Sequence, residues 1–267
     1  MSCFLTKSSV GKKVVMSLTG CVLVLFVLFH MAMNLVMVID APSYNKICAF
    51  LGANWYALVA TVGLAAMVLI HFVYAFILNL DNYRARGKQR YAVTVKEKGV
   101  SWASKNMLAL GVVVLLGLIL HLVHFWSKMQ LVEVMEMIKA YAPDSGIEPG
   151  HETFTFGGEE YTIDPSSGSM IMMLTFSKWY NVVLYLIWFV ALWFHLTHGF
   201  WSMFQTVGLA NKTWYPRLKC LGNIVATLIF LGFATVAVVC YIKGADFMQE
   251  MVPFVPANDL MDMIHNF

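Results

Sequence analysis

Five runs of apolar residues, 14–39, 55–79, 106–127, 179–205 and 219–243, dominate the chain, and none contains an acidic residue. An α-helix rises about 1.5 Å per residue, so each run is long enough to cross a hydrocarbon core of about 30 Å. Backbone polar groups in lipid must be satisfied within the segment, which restricts such runs to helices. The expected fold is an all-α membrane protein with five transmembrane helices in a single domain over residues 1–267. Composition agrees: 60% of residues are hydrophobic and 12% charged, against about half and about a quarter in soluble domains. The net charge of +3 says less here than its distribution along the chain, and it offers no attractive nucleic-acid reading.

The ends of the runs carry Trp55 and Tyr56, Trp102, Trp126, Trp179 and Tyr180, and Trp214 and Tyr215, as expected of aromatic belts at the two interfaces. Basic residues gather before the first run (Lys7, Lys12, Lys13), between the second and third (Arg84, Arg86, Lys88, Arg90, Lys96, Lys98, Lys105) and between the fourth and fifth (Lys212, Arg217, Lys219). The positive-inside rule assigns these regions to the cytoplasm, with the N-terminus inside and the C-terminus outside. The opposite side receives all acids but Asp81 and Glu97. The first run is too long for a cleaved signal peptide and reads as a membrane helix. Cys3, Cys21, Cys48, Cys220 and Cys240 are scattered singly, with neither a disulfide framework nor a Cys-x-x-Cys metal motif.

The outer loop 128–178 has a character of its own. Leu131 to Met137 alternate apolar and acidic residues, which suggests a short interfacial helix. Thr153–Phe156 and Glu159–Ile163 flank Gly157-Gly158 and read as a β-hairpin. A cap over an outer site and a simple connector are both open roles.

Ionisable groups within a span are costly and mark functional sites by default. His30, His71, His121, His124, His195 and His198 lie in the first four runs, and the fifth run has none. Each lies in the second half of its helix. Because consecutive helices alternate in direction, His30 and His121 fall toward the outer face, and His71 and one of His195 or His198 toward the inner one. Counted from the inner ends, His30 lies about 24 Å in and His71 about 12 Å in. Two imidazoles on facing helices satisfy both axial positions of a six-coordinate b-type heme, so four helices are expected to form a bundle around two heme b groups. The opposing reading makes each histidine a hydrogen-bonding tie between helices.

His121 and His124, like His195 and His198, are i, i+3 pairs on one helix face. Depth counted from the ends of the runs selects His121 and His198, and Gly199 beside His198 leaves space for a flat macrocycle. The expected ligands are therefore His30, His71, His121 and His198. His195 and His124 are left to structural, cofactor-contacting, quinone or proton-relay roles, while His151 and His265 are expected to be solvated.

Several local runs resemble the single-subunit diheme cytochrome b anchor of succinate:quinone oxidoreductases, the succinate dehydrogenases and fumarate reductases. They are Lys13-Val14-Val15-Met16-Ser17-Leu18-Thr19-Gly20 with Phe29-His30 and Asn34-Leu35, then His71 with Leu80-Asp81-Asn82-Tyr83-Arg84-Ala85-Arg86, and Ala103-Ser104-Lys105-Asn106-Met107. His121-Leu122 and His198-Gly199-Phe200-Trp201-Ser202-Met203-Phe204-Gln205-Thr206 complete the set. The resemblance implies His30 with His121 on an outer heme and His71 with His198 on an inner one. It further implies a bacterial inner (cytoplasmic) membrane, flavoprotein and iron–sulfur subunits docked on the cytoplasmic face, and electron exchange with a quinone pool. Asn82, Arg84, Arg86 and His195 become candidate cofactor contacts, and the basic loops with Lys88, Arg90, Lys212 and Arg217 candidate contacts to partners or propionates. The chain departs from some diheme members in having no carboxylate within a span, and its outer loop is longer than the family's usual connection.

A quinone exchanges protons as well as electrons, so its site needs polar groups near a heme edge. Asn34, Asn54, His124, Trp126 and Lys128 are the outer-side candidates for menaquinone or another quinone. Two rival readings stand beside this one: a cytochrome b subunit of a hydrogenase or formate dehydrogenase complex, and a transporter with a histidine-lined path. The second lacks the membrane carboxylates and broken repeats usual for that class.

Overall fold

The computed structural model describes residues 8–52, 54–86, 102–156, 159–206, 208–209 and 211–250, without the side chains of Arg86, Thr155, Phe156, Glu159 and 245–250. Its long helices are α1 (Ser9–Ile39), α3 (Trp55–Arg86), α5 (Met107–His124), α8 (Trp179–Thr206) and α9 (Trp214–Glu250). Between them lie α2 (Ala41–Phe50), the single turn α4 (Trp102–Lys105), α6 (Gln130–Tyr141), the strands β1 (Thr153–Phe156) and β2 (Glu159–Thr162), and α7 (Gly168–Phe176). Among the described residues five segments, one on each of the long helices, are long and apolar enough to cross a membrane. Leu25, Leu69, Leu116, Ile187 and Leu228 are among the large apolar side chains exposed along them. Such faces would be an anomaly in water and are the natural lipid contact of a multi-pass membrane protein. The aromatic residues at the helix ends are exposed as well, among them Trp55, Trp102, Trp179 and Trp214.

Helix boundaries depart from the apolar runs in one consequential place. α3 does not stop near Asn79 but continues through Leu80-Asp81-Asn82-Tyr83-Arg84-Ala85-Arg86, a stretch with neither glycine nor proline to end it. Asp81 on this extension meets Lys12 of α1 at 2.6 Å. α8 ends where Gly208 adopts φ +77°. There the Gly208 and Leu209 amides donate to the carbonyls of Gln205 and Phe204, the pairing by which a left-handed glycine closes a helix.

The chain divides into two compact units. The first joins Met1–Phe29, Val62–Leu115 and Val190–Phe230, and the second joins His30–Thr61, Leu116–Phe189 and Leu231–Phe267. In the first, Ala103, Leu110 and Ala191 form a buried cluster flanked by Val114 and Phe194. Trp193 Nε1 there donates to Thr227 Oγ1 at 3.0 Å, and Gly222 of α9 lies under the Phe200 ring.

The second unit contains the elements between the long helices other than α4. α2 starts one residue after α1 because Asp40, in extended conformation, accepts from the Ser43 amide, with Pro42 in the first turn, where its missing N–H costs nothing. α7 packs against α2: the Ser169 amide donates to Asn45 Oδ1 at 3.0 Å, and Gly168 lies against Cys48 and Tyr44. β1 and β2 pair antiparallel from Thr153 opposite Thr162 to Phe156 opposite Glu159, with the turn Gly157-Gly158 outside the described residues. Ile163, Met170 and Ile171 form the buried centre here, packed on by Phe125, Met129, Phe154, Tyr161 and Leu174.

Candidate functional site

Among the described residues each unit brings one pair of histidine rings to face each other. In the second, the rings of His30 (α1) and His121 (α5) lie 5.7 Å apart between centroids and nearly perpendicular. In the first, His71 (α3) and His195 (α8) lie 6.4 Å apart, also edge to face. Metal–imidazole nitrogen bonds of about 2.0 Å put the centroids of two imidazoles on opposite sides of one metal about 6.3 Å apart. The two observed separations bracket that value.

Among the described residues no three or more His, Cys, Asp or Glu side chains converge. A protein-built metal site is therefore not assembled from them. A b-type heme needs only the two axial side chains, because its macrocycle supplies the other donors. The histidine pairs fit that group on further grounds. Thr19 Oγ1 lies 3.0 Å from His71 Nδ1, and the same hydroxyl donates its one hydrogen to the Val15 carbonyl at 2.8 Å, with Met16 O at 3.2 Å. With that hydrogen on the carbonyls the hydroxyl accepts from His71 Nδ1, the tautomer that leaves the Nε2 lone pair free for a metal. Gly20 lies under the His71 ring and Gly111 under that of His195, a Cβ there reaching Cε1 at 3.4 and 3.6 Å. Gly199, one turn beyond His195, has nothing within 4 Å of its Cβ position, so open space adjoins that face of α8.

The fourth ligand expected from sequence, His198, is not the residue brought to His71. His198 packs edge-on against Trp201 with centroids 5.0 Å apart, and Trp201 packs on Tyr215. The difference follows from helix length. Depth had been counted back from the apolar end near Asn79, but α3 runs on to Arg86 and α8 to Thr206. Measured from the true ends, His71 is a deeper residue than the apolar run indicated, and His195 on the deeper turn of its own helix is the one that meets it.

Around the His30/His121 pair the fifth long helix contributes Phe233, 5.9 Å from His30. Trp188 and Phe125 lie 5.9 and 5.1 Å from His121. His124 stacks on Tyr185 at 5.8 Å, its Nδ1 3.3 Å from the Tyr185 hydroxyl. Sequence reasoning missed Thr19, Trp188, Tyr185 and Phe233. Only Thr19 lay within one of the family-like motifs, Lys13 to Gly20, and the other three are ordinary aromatics of the apolar runs by composition.

The outer quinone candidates are largely tied into internal structure. Asn34 is buried, donates to the His30 carbonyl at 2.7 Å and accepts from Tyr44 at 3.2 Å. Asn54 donates to the Phe50 carbonyl at 2.8 Å, Trp126 to Gln130 at 2.9 Å, and Lys128 pairs with Glu152 at 2.6 Å. Asn82 and Arg84 are exposed on the last turns of α3. The side chain of Arg86, together with Lys88, Arg90 and His265, lies outside the described residues. Lys212 is exposed and Arg217 lies over the Trp214 ring. His151 is exposed, with Nε2 3.3 Å from Glu136.

No protein-family model, curated protein or solved structure matches this chain.

Proposed function

We propose that this protein is a diheme b-type cytochrome, the membrane anchor of a succinate:quinone oxidoreductase that carries electrons between menaquinone or another quinone and an iron–sulfur subunit. The observation that carries the reading is the pair of facing histidines in each unit, at 5.7 and 6.4 Å. His30 with His121 and His71 with His195 would hold the two hemes in this reading. Bound heme supplies one-electron exchange at each site. The chain's own work is to hold the imidazoles in facing positions and to exclude water with the aromatic shell of Phe125, Trp188 and Phe233. The choice of complex rests on the sequence resemblance, and the flavoprotein and iron–sulfur subunits are its implied partners on the basic, cytoplasmic side.

The test is a pyridine hemochrome assay on the purified protein, with identification of the subunits that co-purify. Two hemes per chain are expected, together with a flavoprotein and an iron–sulfur protein. Zero heme overturns the cytochrome reading. Two hemes with hydrogenase or formate dehydrogenase subunits move the protein to another respiratory complex.

A further inference from the structure

We propose that Thr19 is a positioning residue for His71, one that lowers the midpoint potential of the heme held by His71 and His195; the inference rests on the cytochrome reading above. Thr19 is buried, and its hydroxyl lies 2.8 Å from Val15 O, 3.2 Å from Met16 O and 3.0 Å from His71 Nδ1, an arrangement that lets it donate along its own helix and accept from the ring. The adjacent Gly20 also lies against this ring, a Cβ position there falling at van der Waals distance, 3.4 Å, from His71 Cε1. One turn of α1 thus provides both the acceptor and a packing surface for this imidazole.

The other member of the pair is treated differently. His195 Nδ1 is buried with no hydrogen-bond partner among the described residues, so the asymmetry falls on one ligand. A hydrogen bond accepted from the far N–H of a ligating imidazole raises the ring's basicity and donation to the metal. Stronger donation favours the oxidised, more positive state, and hydrogen bonding around the ligands is one of the protein's levers on potential. Loss of the Thr19 acceptor therefore shifts the potential upward.

The experiment compares Thr19→Val, which keeps the shape and removes the hydroxyl, with Thr19→Ser, which keeps the hydroxyl. Both are made in the full-length protein, isolated with its native partners. Heme is counted by pyridine hemochrome, the two midpoint potentials are read by redox titration of the α-band, and the ferric low-spin signals by EPR. Thr19→Val is expected to retain two hemes and to raise one potential without moving the other, with Thr19→Ser at the wild-type values. Two hemes with unchanged potentials in Thr19→Val overturn the role of Thr19 and leave the cytochrome reading intact. If Thr19→Val loses heme, Thr19→Ser decides: wild-type potentials with two hemes support the hydroxyl, and loss of heme there too overturns it. A wild-type protein without heme removes the cytochrome reading and this inference with it.

Discussion

Gly117 lies so close to the Trp188 indole that a Cβ at position 117 would overlap the ring, and the same indole sits 5.9 Å from His121. The absence of a side chain on α5 thereby decides where an aromatic residue of α8 can rest beside a candidate heme ligand. Gly117→Ala must displace a rigid ring and not the tip of a flexible chain, a cost of about 1–3 kcal/mol. The purified protein is expected to melt at a lower temperature and, on the proposed cytochrome reading, to show one altered low-spin signal. Unchanged melting and spectrum would show that α5 and α8 separate freely at this point.

Replacement of the two histidines of α8 separates the sequence expectation from the structural one. His195→Ala is expected to leave one heme per chain, because it removes the ring that faces His71 at 6.4 Å. His198→Ala is expected to keep two, since that ring rests on Trp201. Hemochrome counts on the two variants provide the check, and the reverse pattern would restore His198 as the ligand.

Gln130 is a three-way tie in the second unit. Its Oε1 accepts from Thr61 Oγ1 and Trp126 Nε1, both at 2.9 Å, and its Nε2 donates to the Gly52 carbonyl at 3.0 Å. A net hydrogen bond contributes about 1 kcal/mol, and partial exposure reduces the sum, so Gln130→Ala is expected to cost about 2 kcal/mol. Gln130→Glu keeps the acceptor and loses the donor, and its loss should be intermediate. Thermal denaturation in detergent ranks the two variants.

Burial pushes the Cys48 thiol on α2 up to about 11 from its ordinary 9.0, with a smaller opposing pull from the Tyr44 and Gly168 hydrogen bonds. Between these values the unfolded chain releases a proton that the folded chain retains. The stability linked to Cys48 is thus fully present below about pH 9 and declines as pH rises toward 11, at up to about 1.4 kcal/mol per pH unit for one proton. Melting temperatures from pH 8 to 11 should fall less steeply in Cys48→Ala than in the parent protein. Parallel curves would mean that Cys48 titrates alike in both states.

Most of the architecture is legible along the chain. The transfer of side chains into lipid is a local property, summed residue by residue, so five apolar runs announce five long helices. The Thr153–Phe156 and Glu159–Ile163 alternation likewise anticipates the strands Thr153–Phe156 and Glu159–Thr162. α2 and α7 were not anticipated. At ten and nine residues they are too short for a span, although Asp40 ahead of Ala41-Pro42 was a usable capping signal. α7 is held by groups far away in sequence, Asn45 and Cys48 among them.

By itself the sequence determined that histidines lie within four apolar segments and that His30 and His121 belong together by depth. Which histidine of α8 meets His71 was decided only by the tertiary structure. That choice depends on the length of α3 beyond its apolar run and on the rotation and axial offset of neighbouring helices. Those are set by contacts such as Thr19 with His71 and Trp193 with Thr227, between residues that no local pattern connects.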